Sequence, residues 1–148
     1  MTQMPADDAE TGRTRPAFDP RLVTTGTPLI YPELSYRIVG CAMKVHSALG
    51  PSLPERLYQR AMMIELAAAG LAVERERPFA VAYAGQPIGT LRVDHLVEER
   101  VVLELKATTA LTPVDEQQAL AYLRITGVRL ALLINFGREK LEHKRIVN

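Results

Sequence analysis

The sequence predicts one α/β domain in which a mixed sheet is flanked by helices. Three observations carry this. Two stretches of helical apolar spacing come first, over residues 33–49 and 52–69. A block of strand-like segments fills residues 71–107. A capped helix at 112–126 then leads into VRLALLIN at 128–135, an almost continuously apolar run of the kind buried on both faces of a sheet. The order α, α, three antiparallel strands, α, β implies helices packed on a sheet.

The first helix is predicted over Glu33 to Leu49. Leu34, Ile38, Cys41, Val45 and Leu49 recur at helical spacing, and Gly50-Pro51 stops the run. Ser52-Leu53-Pro54-Glu55 has the spacing of a capping box and opens a second helix that reaches Gly70. Leu71–Glu76 and Phe79–Tyr83 read as strand, broken or bulged at Pro78, and Ala84-Gly85-Gln86-Pro87 reads as a turn. Ile88–Val97 and Val101–Ala107 form a hairpin around Glu98-Glu99-Arg100. Thr112-Pro113-Val114-Asp115 caps the next helix, which Gly127 closes, and Arg145–Val147 returns as a short final strand.

The length of 148 residues suits a single domain, and 47% apolar residues suffice for a core without cross-links. Cys41 is alone, which excludes an intramolecular disulfide and a Cys-rich zinc site and points to a reducing, cytoplasmic setting. No apolar run approaches the length of a membrane span, and the acidic, polar start is unlike a secretory signal. A net charge of +1 argues against coating nucleic acid by charge alone, and 5% aromatics without tryptophan argue against a base-stacking platform. Five of the ten prolines fall within the first 33 residues, which lack apolar periodicity. Residues 1–30 are therefore expected to form a disordered or extended arm, and residues 31–148 the folded domain.

The hairpin RVDHLVEERVVLELKA holds the candidate chemistry. A turn centred on Glu99 sets Asp94 opposite Glu104. Alternation then puts Glu104 and Lys106 on the face of Asp94, while Leu103, Leu105 and Ala107 face away. Two carboxylates so placed repel each other, and the neighbouring Leu96 and Val102 make them costly to ionise. A hard divalent cation, Mg²⁺ or Mn²⁺, reverses that penalty. Lys106 could then hold a water or offset charge on an anionic transition state. The same residues also fit a solvated strand face carrying ordinary ion pairs. Glycine-rich phosphate loops and nucleophile-histidine arrangements are absent, and Cys41 lies on an apolar stripe.

The strings LSYRIVGCAMKVHSALGPSLPERLY, RVDHLVEERVVLELKA and LAYLRITGVRLALLINF, in this order and spacing, resemble the GxxExxY protein family, placed in the PD-(D/E)xK nuclease superfamily. The resemblance spans residues 33–148 and implies a restriction-endonuclease-like αβββαβ core. It implies a metal site from Asp94 and Glu104, with Lys106 as the motif lysine. The naming motif falls on Ser52, Glu55 and Tyr58, with serine in place of glycine. Glu55 is then a third acidic group at the site, besides its reading as a capping partner. Gln118 and Tyr122, one turn apart on the helix after the sheet, resemble the Q-x-x-x-Y element of RecB-like nucleases; a polar helix edge with a half-buried tyrosine fits equally. Tyr58 and His46 fall where they could line the site wall, or pack as a core tyrosine and a helix histidine. Asp115 is assigned capping alone, and His95 a structural place. The implied activity is Mg²⁺-dependent phosphodiester hydrolysis of nucleic acid, DNA before RNA, by a homodimer. Two other readings stay open: a catalytically silent nuclease-fold binding or scaffolding module, and a hydrolase of a small phosphorylated substrate.

Overall fold

A computed structural model describes residues 29–148, so all of the expected arm except Leu29 and Ile30 lies outside the described residues. Helix α1 (Pro32–Leu49) has proline in its first turn, where a missing N–H costs nothing. It buries Leu34, Ile38, Cys41, Ala42 and Val45, while Leu49, the last member of the expected stripe, is exposed. Gly50 ends the helix at φ 72°, and its N–H donates to the His46 carbonyl at 2.8 Å.

Helix α2 (Glu55–Ala68) corrects the reading of its own start. The capping box at Ser52 and Glu55 does not form; Pro54 is the N-cap, and Glu55 is the first helical residue. A capping serine needs extended backbone, but Ser52 has φ 104°. The turn before α2 is closed from within the helix instead. The Tyr58 hydroxyl accepts from the Leu53 N–H at 3.1 Å and donates to the Gly50 carbonyl. Tyr58 is fully buried, with its ring stacked on Phe136 at 4.7 Å between centroids.

Five strands follow sequence order across the sheet. β1 (Val73–Tyr83) and β2 (Gln86–Val97) form a long antiparallel ribbon. They are joined by Ala84-Gly85 alone, at φ 50° and 77°, the left-handed pair a two-residue hairpin requires. The expected break at Pro78 is absent, because Pro78 pairs opposite Arg92 on an edge strand, where a missing donor can face outward. The irregularities of β1 are Glu76, at φ 54°, and a register shift between Val81 and Ala82. β3 (Val101–Lys106) runs antiparallel to β2 and parallel to β4 (Leu130–Asn135). β5 (Glu142–Val147), longer than expected, closes the far edge antiparallel to β4.

Helices cover both faces. α1 and α2 pack on Val97, Val101, Leu103, Leu105, Leu130, Leu132 and Ile134. Helix α3 (Pro113–Thr126) packs Ala119 and Leu123 on Val93, Leu96, Val102, Ala131 and Leu133. All six residues of β4 are buried, which is why its sequence does not alternate. The cap of α3 is the expected one: Asp115 N–H donates to Thr112 Oγ1 at 3.3 Å, and Thr112 N–H donates to Asp115 Oδ2 at 2.9 Å. Gly127 closes the helix at φ 77°. The architecture is thus a mixed sheet sandwiched between helices, with β3 central and both of its faces covered.

Candidate active site

The site is built where β2 and β3 part. They are laddered through Val97 with Val101 and Leu96 with Val102, the register expected from a turn centred on Glu99. Carried two residues further, that register sets Asp94 across from Glu104. The ladder has stopped by then, since β2 goes on pairing only with β1.

Glu104 is the electrostatic centre of this place. It lies on the sheet face opposite Leu103 and Leu105, which point into the core beneath α1 and α2. Its Oε2 is buried and has no hydrogen-bond partner among the described residues. Burial pushes its carboxyl up to about 7; Lys106 pulls it down, and Asp94, Glu55 and Asp115 push it further up. Four elements therefore converge on one carboxylate: β2 through Asp94, β3 through Lys106, the start of α2 through Glu55, and the start of α3 through Asp115. Glu55 also accepts from Gln59 Nε2 at 3.0 Å. Gln59 in turn lines, with Asp94, Glu76, Arg75 and His95, a cleft of about 120 Å³. Asp94 itself is exposed.

Lys106 Nζ stands 3.9 Å from Asp115 Oδ1, and both side chains are mostly covered. Asp115 thus does two jobs with two oxygens, capping α3 with Oδ2 and facing the lysine with Oδ1. Capping chemistry was legible in the sequence; the lysine contact was not, because it spans the loop between β3 and α3. His95 is 3% exposed, and burial lowers its pKa, so it stays neutral on the sheet beside Asp94.

Tyr58 and His46, each read as site wall or as packing residue, are bonded as packing residues. The Tyr58 hydroxyl is spent on the turn before α2. His46 Nε2 donates to the Arg138 carbonyl at 2.8 Å, and its ring tilts on Phe136 at 6.3 Å. Gln118 is exposed on α3, and Tyr122 packs half-buried against the cluster of Val93, Leu96 and Leu123. Cys41 is buried with its thiol pKa raised, chiefly by burial, as befits a core position.

One supporting network was missed in the sequence. Asn135, fully buried at the end of β4, pairs in register with Lys106. Its Oδ1 accepts from the N–H groups of Thr108 and Gly137 at 2.9 and 3.0 Å. Its Nδ2 donates to the Thr108 carbonyl and to Glu142 Oε1, both at 3.0 Å. Glu142 Oε1 also accepts from the Leu111 N–H at 3.0 Å, and these bonds hold its carboxyl below the ordinary range. The clamp fixes the chain on both sides of the loop that leaves Lys106. An asparagine ending an apolar strand is the only hint the sequence offers.

A family model described as the PD-(D/E)XK nuclease superfamily matches residues 32–146. The chain belongs to the PD-(D/E)XK nuclease superfamily. Its mixed five-stranded sheet with flanking helices is the restriction-endonuclease-like arrangement of that superfamily. No curated protein and no solved structure matches the chain. Membership makes this a nuclease-like domain, and among the described residues no helix is long and apolar enough to cross a membrane.

Among the described residues, no group of three or more His, Cys, Asp or Glu side chains is placed so that it could hold a metal ion. Mg²⁺ is held by one or two carboxylates, with waters and substrate phosphate oxygens supplying the rest. A buried carboxylate oxygen without a partner, amid other acidic groups, is the donor such a cation requires.

Proposed function

We propose that the protein is a divalent-metal-dependent phosphodiesterase acting on nucleic acid, with DNA as the preferred substrate. The observation that carries this is Glu104, whose buried oxygen has no partner among the described residues and whose neighbours include Asp94 and Lys106. The superfamily name spells its motif as P-D followed by (D/E)-x-K, and Asp94 with Glu104-Leu105-Lys106 fits it, with Val93 where the proline would stand. Asp94 and Glu104 would hold Mg²⁺ or Mn²⁺. A divalent cation so held supplies Lewis acidity toward a phosphoryl oxygen and lowers the pKa of water.

The rest falls to the chain. Lys106, kept in place by Asp115 and by the Asn135 clamp, orients the attacking water and offsets charge that builds on the phosphoryl oxygens. Glu55 adds negative charge that strengthens cation binding at Glu104. Gln118 and Tyr122 form the helix-side wall.

The test combines stability and turnover. Millimolar Mn²⁺ should raise the melting temperature of the wild type; at ten times its Kd it adds about 1.4 kcal/mol. Asp94→Asn should abolish that rise. Lys106→Ala should keep the rise and lose cleavage of plasmid, single-stranded DNA and RNA, because the lysine serves the reaction and not the ion. A wild type with neither metal-dependent stabilisation nor cleavage would overturn the reading in favour of a silent nuclease-fold module.

A further inference from the structure

A second concavity, of about 360 Å³, lies at the opposite end of α3 from the carboxylates. Three arginines line it, Arg77, Arg100 and Arg129, against one acidic residue, Glu99. In a chain of net charge +1 this is a local concentration of positive charge. The arginines come from three separate places, namely β1, the turn between β2 and β3, and the entry to β4, so no single stretch of sequence announces the cluster. Two guanidinium groups lie over aromatic rings, Arg77 over Phe79 at 5.1 Å and Arg100 over Tyr31 at 5.8 Å. Stacking of this kind orients the planar fork and leaves its N–H edges to meet phosphate oxygens. Arg77 is also held by Glu74 and faces Glu99 at 3.8 Å. Arg100 and Arg129 are exposed, and neither is in an ion pair among the described residues.

The concavity touches Thr126 and Gly127 at the end of α3, while Asp115, in its first turn, faces Lys106. At a rise of 1.5 Å per residue, the stretch between Asp115 and Thr126 is roughly 16 Å long. A chain with one phosphate at Lys106 must therefore extend over more than one nucleotide to reach the arginines. The walls of the concavity include Phe79 and Leu96, which belong to the sheet face that α3 covers. A strand engaged at Lys106 can therefore follow α3, past Gln118 and Tyr122, to the arginines.

We propose that Arg100 and Arg129, with Arg77 behind them, form a second contact for the phosphodiester backbone of a polynucleotide, roughly 16 Å from the carboxylates. This rests on the phosphodiesterase reading, to which it adds a binding surface remote from the carboxylates.

The experiment measures binding without turnover. Fluorescence anisotropy with the full chain in EDTA compares labelled 20-nucleotide and 3-nucleotide DNA across salt concentrations. Arg100→Gln/Arg129→Gln should weaken binding of the 20-mer at least tenfold. It should also reduce the slope of log K against log salt by about 1.4, two phosphate contacts on a single strand. Binding of the 3-mer should not change, nor should the Mn²⁺-induced rise in melting temperature. Arg100→Lys/Arg129→Lys should restore most of the slope, because lysine keeps the charge. Equal affinities and slopes for wild type and the glutamine variant would overturn the proposal. So would a parallel loss for the 3-mer, or a wild type that does not bind the 20-mer. A wild type that binds the 20-mer through these arginines, yet shows no Mn²⁺ stabilisation and no cleavage, would sustain this surface and overturn the hydrolytic reading alone.

Discussion

Replacing Glu104 by glutamine isolates the electrostatic cost at the heart of the candidate site. The carboxyl titrates near 4.5 in the unfolded chain and is pushed up to about 7 in the fold, first by burial and then by Asp94, Glu55 and Asp115, with Lys106 opposing. Between these values the native state binds more protons than the unfolded state. The slope of unfolding free energy with pH is therefore negative, and the group costs stability as pH rises through that window. A gap of about 2.5 units at 1.36 kcal/mol each gives roughly 3 kcal/mol, fully expressed above pH 7 and absent below about pH 4.5. Buried His95 works in the other direction, its lowered pKa adding stability as pH rises toward 6.5, but it is common to both proteins and cancels in the difference. Thermal melts in EDTA should thus coincide for wild type and Glu104→Gln near pH 4.5. They should separate until the variant melts higher near pH 8, on the order of 10 °C for 3 kcal/mol in a chain of this size. Mn²⁺ should close the gap by stabilising the wild type alone. Parallel curves across the whole pH range, or a variant less stable at pH 8, would refute the argument that Glu104 is held ionised at a cost.

Three further outcomes follow from local geometry. Ser52→Gly should stabilise the protein by about 1 kcal/mol in denaturant titration, because Ser52 sits at φ 104°, where a Cβ is strained. Gly137→Ala should destabilise by roughly 1–3 kcal/mol, since the added Cβ would meet the Thr108 carbonyl oxygen at 2.3 Å; cleavage should fall with it, because the same contact seats the loop after Lys106. Removing residues 1–28 should change the unfolding free energy by less than about 1 kcal/mol in a denaturant titration, on the expectation that a proline-rich segment without apolar periodicity adds little to the core.

Much of the molecule was legible because its signals are local. Thr112 and Asp115 spell a cap, Gly50 and Gly127 stop their helices, and the turn at Glu99 fixes a register that Leu96 with Val102 obeys. Alternation alone assigns Asp94, Glu104 and Lys106 to one face, but it does not hold along β2, where Val93 and Leu96, three residues apart, both pack beneath α3. The misreadings arose where backbone torsion or burial overrides residue type. Serine at 52 looks like a cap until its φ is known, and Pro78 looks like a break until β1 proves to be an edge. Tyr58 allowed two readings, wall or core, and burial with a hydroxyl that closes a turn is the second.

The sequence by itself determined the elements, their order and the register of the β2–β3 turn, since these depend on periodicity, caps and a single hairpin. Only the tertiary structure decided what surrounds Glu104. Glu55 and Asp115 lie 49 residues before it and 11 after it, and they act on it because two helices on opposite sides of the sheet start at the same end of β3. The Asn135 clamp and the three-arginine concavity have the same origin. Each joins side chains from separate elements, and the distance between such groups is set by packing of the whole sheet, a quantity no local pattern encodes.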